Sequence, residues 1–201
     1  MEYKDYDKSR NLVWQILIDH RVCTLPVKTV SMCSKLGIAV KLYHGHNGND
    51  GYCKMYGDTP IIFVNKHCSM ERQRFTVAHE LGHLLLGHVG RYPLVSREPN
   101  PKDNPIEQAA NVFASRLLAP ICVLHEIGIK SSNDISRLCG ISCRSADIRW
   151  KRLQQIERRN KEFQSQYSRG CFYLNPLEYK VYEQFYDFIK KNQLEVIRGI
   201  L

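Results

Sequence analysis

One pentapeptide constrains this chain more than any other part of it: His79-Glu80-Leu81-Gly82-His83. Two histidines four residues apart share one face of a helix, with Cβ atoms roughly 5–6 Å apart. So placed, two imidazoles can converge on one Zn2+ at about 2.0–2.1 Å each. Glu80 follows the first histidine, beside the metal but off the ligand pair. A carboxylate there can take a proton from an attacking water. Short motifs recur by chance, so the flanks must agree. They do. Ser69 is a good N-cap, Glu71 falls in the first turn, and Gly87 can end the helix. The spacing therefore predicts a helix from Met70 to Leu86.

A catalytic zinc site needs three protein ligands and one open position. His88 is close in sequence, but a metzincin pattern requires Gly at position 86 and His at position 89. The chain has Leu86 and Val89, so that class is excluded. The other arrangement adds a carboxylate to the two histidines. The candidates are Glu98, Asp103 and Glu107. Glu98 lies in a Pro-flanked loop and Asp103 just ahead of a helix cap. Glu107 opens a helix, but Asn104-Pro105-Ile106-Glu107 also reads as N-cap to N3 of a capping box, which would occupy the same carboxylate. The small residues Ala109, Ala110 and Ala114 would let this helix approach the motif helix closely. His88 and Tyr92 are near enough in sequence to be considered as oxyanion-stabilising groups.

The remainder of the chain supplies a frame. Leu12, Val13, Ile16 and Leu17 recur at helical spacing within residues 9–20. A second helix is expected over residues 27–36, closed by Gly37. Residues 38–43 are β-branched and alternating, residues 52–56 form a short strand, and Pro60 to Val64 is a strongly apolar one. These predict a three-stranded antiparallel meander, leading directly into the motif helix. A strand edge beside the metal could hold an extended peptide by backbone pairing. His44 and His46 fall in a Gly- and Asn-rich loop without a rigid scaffold, which favours solvation over metal binding.

Charge is uneven along the chain. The net charge is +9. Between Ser131 and Lys161 stand eight basic residues and three acidic ones, a net of +5. The text Ile135 to Arg149 reads as two helices around Gly140, with Ser142 capping the second, which is a helix-turn-helix pattern. Arg149-Trp150-Lys151-Arg152 is expected to form a basic, aromatic surface, for phosphate contacts or for docking a protein. Leu177, Val181, Phe185, Phe188 and Ile189 then predict one last amphipathic helix.

Hydrophobic content of 43% and charged content of 24% are those of a globular domain. No run of about 18 apolar residues suggests a membrane span. The polar start Met1 to Asp7 lacks the apolar segment of a secretory signal. Eight cysteines in that context imply free thiols in a reducing compartment. Cys139 and Cys143 have no second pair at zinc-ribbon spacing, and the cysteines read as small buried apolar groups.

Two motifs together resemble a known family. His79 to His88, followed by Glu107-Gln108-Ala109-Ala110-Asn111-Val112-Phe113-Ala114 and Leu117-Leu118-Ala119-Pro120, look like the ImmA/IrrE-type metallopeptidases. The likeness extends over most of residues 9–190. The second motif is the specific part, since the first alone indicates only a zincin. Ala119 departs from the family, which usually has Met before Pro120, and the sensor-like domain of larger members is absent. The resemblance implies Glu107 as third ligand with His79 and His83, Zn2+ as cofactor, and Glu80 as general base. It implies a cytoplasmic endopeptidase that cleaves a cognate helix-turn-helix repressor and so derepresses its genes. A monomer without membrane contact is expected, with DNA binding secondary to protein docking. The competing class is a DNA-binding regulator with a structural or degenerate zinc site. The expected fold is α+β: a zincin-like domain over residues 1–130, mostly helical with a small antiparallel sheet, then a helix-turn-helix-like segment and final helix over residues 131–201.

Overall fold

Strand β3 (Thr59–Asn65) is the most apolar segment ahead of the motif, and it takes the place in the sheet that has two neighbours. The strands β1 (Ala39–Tyr43), β2 (Gly51–Tyr56) and β3 run in the order β1-β3-β2. β2 and β3 form an antiparallel hairpin closed by Gly57-Asp58, with Tyr56 opposite Thr59 and Gly57 at φ 59°. β1 pairs with β3 in parallel, Ala39 opposite Ile61. The sheet is therefore mixed, not the antiparallel meander expected from the sequence. The reason is burial. A meander would centre β2, whose Lys54, Met55 and Tyr56 are exposed, whereas β3 buries Ile61, Ile62 and Val64.

The computed structural model describes residues 3–45, 49–89, 104–167 and 176–198. The chain divides into two compact units. The first comprises Met1–Val13 and Val27–Leu118, the second Trp14–Pro26 and Ala119–Leu201. Helix α1 (Tyr3–Asp19) starts in one and ends in the other.

In the first unit, α2 (Thr29–Lys35) is closed by Gly37 at φ 72°. The motif helix α3 (Met70–Leu85) starts at Ser69, whose hydroxyl accepts from the Arg72 N–H at 3.3 Å. Helix α3 packs on β2 and β3 and most extensively on α4 (Pro105–Leu118). Asn104 caps α4, its Oδ1 accepting from the N–H of Ile106 at 3.0 Å and of Glu107 at 3.5 Å. The two helices come together where they carry little side chain. A Cβ on Gly82 would stand 3.0 Å from Phe113 Cδ1, and Ala109, Ala110 and Ala114 are buried on α4. Val77, Ala78, Leu81, Phe113 and Leu117 complete this core.

The second unit is all helical among the described residues. It holds α5 (Ile121–Ile127), α6 (Ser132–Cys139), α7 (Cys143–Tyr167), α8 (Pro176–Gln184) and α9 (Tyr186–Ile197). The expected last helix is two, separated at Phe185. α6 and α7 form the helix-turn-helix pattern, with Gly140 at φ 58° between them and Ser142 Oγ accepting from the Ser145 N–H at 3.3 Å. Arg149 departs from the expected basic surface. It follows Ala146 and precedes Leu153 on the buried stripe of α7, is 6% exposed, and donates through Nε to the Ala119 carbonyl at 3.0 Å. The stretch Pro105–Ile127 is long and apolar enough to cross a bilayer by composition alone. It is two helices, and 72% of its most apolar window is buried within the protein, the signature of core helices.

Candidate metal centre

The centre is built by α3 and α4. His79 and His83 lie one turn apart on the buried face of α3, their Nε2 atoms 3.0 Å from each other. Glu107, on the first turn of α4, reaches both. Its Oε2 is 3.2 Å from His79 Nε2 and its Oε1 is 3.1 Å from His83 Nε2. All three residues are buried. The carboxylate therefore points across to α3, not back to its own helix start, and the capping-box use of Glu107 does not form. Asn104 caps the helix without it.

This donor set suits a divalent cation. Two imidazole lone pairs and a carboxylate face one point, with their ligand atoms all within 4.8 Å of one another. Three acceptors held together out of water repel one another unless a proton or a cation lies between them. Burial disfavours a charged Glu107, yet hydrogen bonds and charge from His79 and His83 hold its carboxyl well below the usual carboxylate range. Burial likewise opposes a charged His79, and the side chains of Glu107, Glu80 and Asn111 outweigh it, so that its pKa is raised. The Glu107 carboxylate favours a positive charge between these side chains, whether a proton or a cation supplies it.

Other side chains pack against the candidate ligands. Helix α3 ends in a Schellman motif. Gly87, at φ 73°, lets the His88 N–H bond back to the His83 carbonyl at 2.9 Å and the Gly87 N–H to that of Leu84 at 3.2 Å. That turn folds the His88 ring against His83, with Nδ1 to Nδ1 at 3.0 Å. With His83 Nε2 facing Glu107, its Nδ1 carries the proton and donates to His88 Nδ1 (a tautomer assigned from these roles). Burial, then the nearby His83, pulls the His88 pKa down to about 4, which keeps it a neutral acceptor. His88 thus stands behind His83, on the Nδ1 side of its ring. Asn111 is one turn beyond Glu107 on α4 and approaches the His79 ring. It does so without a well-formed hydrogen bond, since no partner is in bonding geometry at His79 Nδ1.

Glu80 is 8% exposed and stays outside the three-residue group. Burial, then the charge of Glu80, pushes the pKa of the Cys53 thiol on β2 up. His44 is paired with His67, Nδ1 to Nε2 at 3.3 Å. His46, Tyr92, Glu98 and Asp103 lie outside the described residues. The sequence reading missed the approach of Asn111 to His79 and the place of His88 behind His83. The i,i+4 spacing of Glu107 and Asn111 and the Gly87 stop were the available signals.

The IrrE N-terminal-like domain, peptidase family M78, matches residues 33–151, more than half of the chain. The chain belongs to this ImmA/IrrE family of metallopeptidases. The match begins in α2 and runs through the sheet, both site helices and the first part of α7. No curated protein sequence matches the chain.

Proposed function

We propose that this protein is a Zn2+-dependent endopeptidase whose substrate is a helix-turn-helix transcriptional repressor. One observation carries the catalytic part: His79, His83 and Glu107 converge within 4.8 Å while Glu80, on the same helix, remains outside the group. Two imidazoles and one carboxylate are the protein ligands of a catalytic zinc site with an open position. When bound, Zn2+ supplies Lewis acidity to water and to the scissile carbonyl. Glu80 accepts the proton of the attacking water and delivers it to the departing amine. The buried setting of Glu80 restricts it to the inside of the site. β2 is the edge strand on the α3 side of the sheet, and an extended substrate segment pairs with it through backbone hydrogen bonds. The repressor as substrate rests on family membership.

The test takes helix-turn-helix repressors from the genome that encodes this protein, neighbouring genes first. Wild-type protein with Zn2+ is expected to cut one of them, once or at few sites. Glu80→Gln is expected to bind Zn2+ equally and to leave that repressor intact. Cleavage by Glu80→Gln would remove Glu80 as base. A zinc-loaded wild type that leaves all of them whole would remove the substrate assignment. The α6–α7 motif, with exposed Arg144, Lys151, Arg158, Arg159 and Lys161, supports a second reading as a DNA-binding regulator. A salt-sensitive shift of duplex DNA by the zinc-free protein would favour it.

A further inference from the structure

The C-terminal ends of β1 and β3 carry a second pair of imidazoles. These strands run parallel with Tyr43 opposite Asn65, and the Lys66 N–H continues the ladder to the Tyr43 carbonyl at 3.1 Å. The chain therefore leaves both strands at the same end of the sheet. His44 follows β1 directly, and His67 sits in the turn that leads to α3. Buried Asn65 fixes that turn. Its Oδ1 accepts from the His67 N–H at 3.0 Å, and its carbonyl accepts from the Cys68 N–H at 3.2 Å. Its Nδ2 donates to the Asn49 carbonyl at 3.0 Å. Gly45 lies against the same side chain, where an added Cβ would stand 2.7 Å from Asn65 Cγ. The rigid scaffold that His44 lacks in its own loop is thus supplied by the end of β3. His44 Nδ1 and His67 Nε2 stand 3.3 Å apart, with ring centres at 5.3 Å and ring planes at 60°. Both residues are exposed.

We propose that His44 Nδ1 and His67 Nε2 form a second cation site, for a late first-row divalent ion such as Zn2+ or Ni2+. Two nitrogens at about 2.0–2.1 Å from one tetrahedral ion stand about 3.3–3.4 Å apart, which is the separation of this pair. A nitrogen donor and its acceptor sit closer in an ordinary hydrogen bond, at about 2.7–3.2 Å. Imidazole is the side chain that these ions share as a ligand. Without the ion, one ring carries a proton on the nitrogen that faces the other. With the ion, both facing nitrogens give their lone pairs, and that proton moves to the other nitrogen of its ring. Cys68 and Asp50 are engaged elsewhere. Cys68 Sγ donates to Asp50 Oδ1 at 3.4 Å, and Asp50 Oδ2 accepts from Arg72 Nε at 2.6 Å. Among the described residues, His79, His83 and Glu107 are the group of three donors. Water therefore completes the shell at the His44–His67 pair. The ion ties the end of β1 to the turn from which α3 starts, and its binding stabilises the folded first unit.

This site is separate from the group on α3 and α4, so its test needs no cleavage. Zn2+ alone is titrated into the full chain while the nitrogen resonances of the histidine rings are followed. His44 Nδ1 and His67 Nε2 are expected to shift together with one equivalent of Zn2+, beyond what His79 and His83 take up. The thermal midpoint rises with that equivalent. His44→Ala and His67→Ala change exposed positions and leave the metal-free midpoint near wild type. Each is expected to weaken binding of this equivalent about 100-fold, because a second imidazole on the same scaffold binds intramolecularly. The His79 and His83 ring shifts stay as in wild type. Rings of His44 and His67 that do not shift in excess Zn2+, or a shift of only one of them, overturn the site and leave a hydrogen-bonded pair. An equivalent that survives either substitution overturns it as well. If His79 and His83 take up no Zn2+, the proposed peptidase mechanism fails, and the shifts of His44 and His67 still decide this site.

Discussion

Gly82→Ala probes the helix crossing on which the centre depends. The added Cβ would stand 3.0 Å from Phe113 Cδ1 and 3.2 Å from both Phe113 Cβ and Cγ. Phe113 is 0% exposed, so its ring has no solvent to swing into, and the contact at its own Cβ cannot be relieved by rotating χ1. In an unhindered helix interior the same change gains about 1 kcal/mol from helix propensity. Overpacking of a filled core costs typically about 1–3 kcal/mol. With three close contacts the steric cost prevails, for a net loss of about 1–2 kcal/mol. For a chain of this size that lowers the thermal midpoint by roughly 2–8 °C. The effect on the centre is sharper. α3 carries both histidines and α4 carries Glu107, at 3.1 and 3.2 Å. Relief of the clash moves these helices apart by a few tenths of an ångström. Zn2+ affinity should fall about tenfold, the lower range for disturbing a ligand's support. The assays are calorimetric unfolding without metal and competition with a chromophoric zinc chelator. Phe113→Leu in the Gly82→Ala background should recover part of both losses, giving a favourable coupling of about 1 kcal/mol. A Gly82→Ala protein as stable as wild type with unchanged Zn2+ affinity would refute the reasoning.

Two further perturbations address other links. His88→Ala removes the acceptor behind His83 and is expected to weaken Zn2+ binding by about 10–100-fold while leaving the zinc-free fold intact. Chelator competition checks it, and an affinity within twofold of wild type would show that His88 does not orient the ligand. Asp134 in α6 holds Ser131 at 2.8 Å and Arg137 at 2.8 Å. Burial opposes its charge, but these partners depress its pKa below the ordinary 3.8. A carboxyl with a depressed folded pKa adds stability that is present above its unfolded value and is lost as pH falls through the folded one. Asp134→Asn should therefore cost about 1 kcal/mol near neutral pH, and the difference should vanish in acid below both values. Urea unfolding across that range measures it, and a pH-independent difference contradicts the assignment.

Much of the centre is legible in the sequence. The four-residue spacing of His79 and His83 determines that they share a helix face, because helix geometry is local. Ser69, Gly87, Asn104 and Pro105 marked the ends of α3 and α4 through chemistry confined to single turns, and Gly37 and Gly140 did the same for α2 and α6. Strand order was not legible. Alternation in β1, β2 and β3 says which residues face one way, while the choice of centre depends on what covers each strand. That is why β3, not β2, lies in the middle.

Glu107 shows the division most clearly. By itself Asn104-x-x-Glu107 describes a capping box, and the same carboxylate suits a metal ligand. A local pattern cannot choose between partners that differ only in distant sequence. The choice came when Gly82 and Phe113 brought α3 and α4 into contact and put two imidazoles within 3.2 Å of that carboxylate. Arg149 follows the same logic, since a basic run looks like surface until the helix stripe turns one of its members inward. The sequence alone determined the helices and the chemistry they could carry. Tertiary packing decided which side chains meet, because contacts between residues far apart in the chain depend on how whole elements bury their apolar faces.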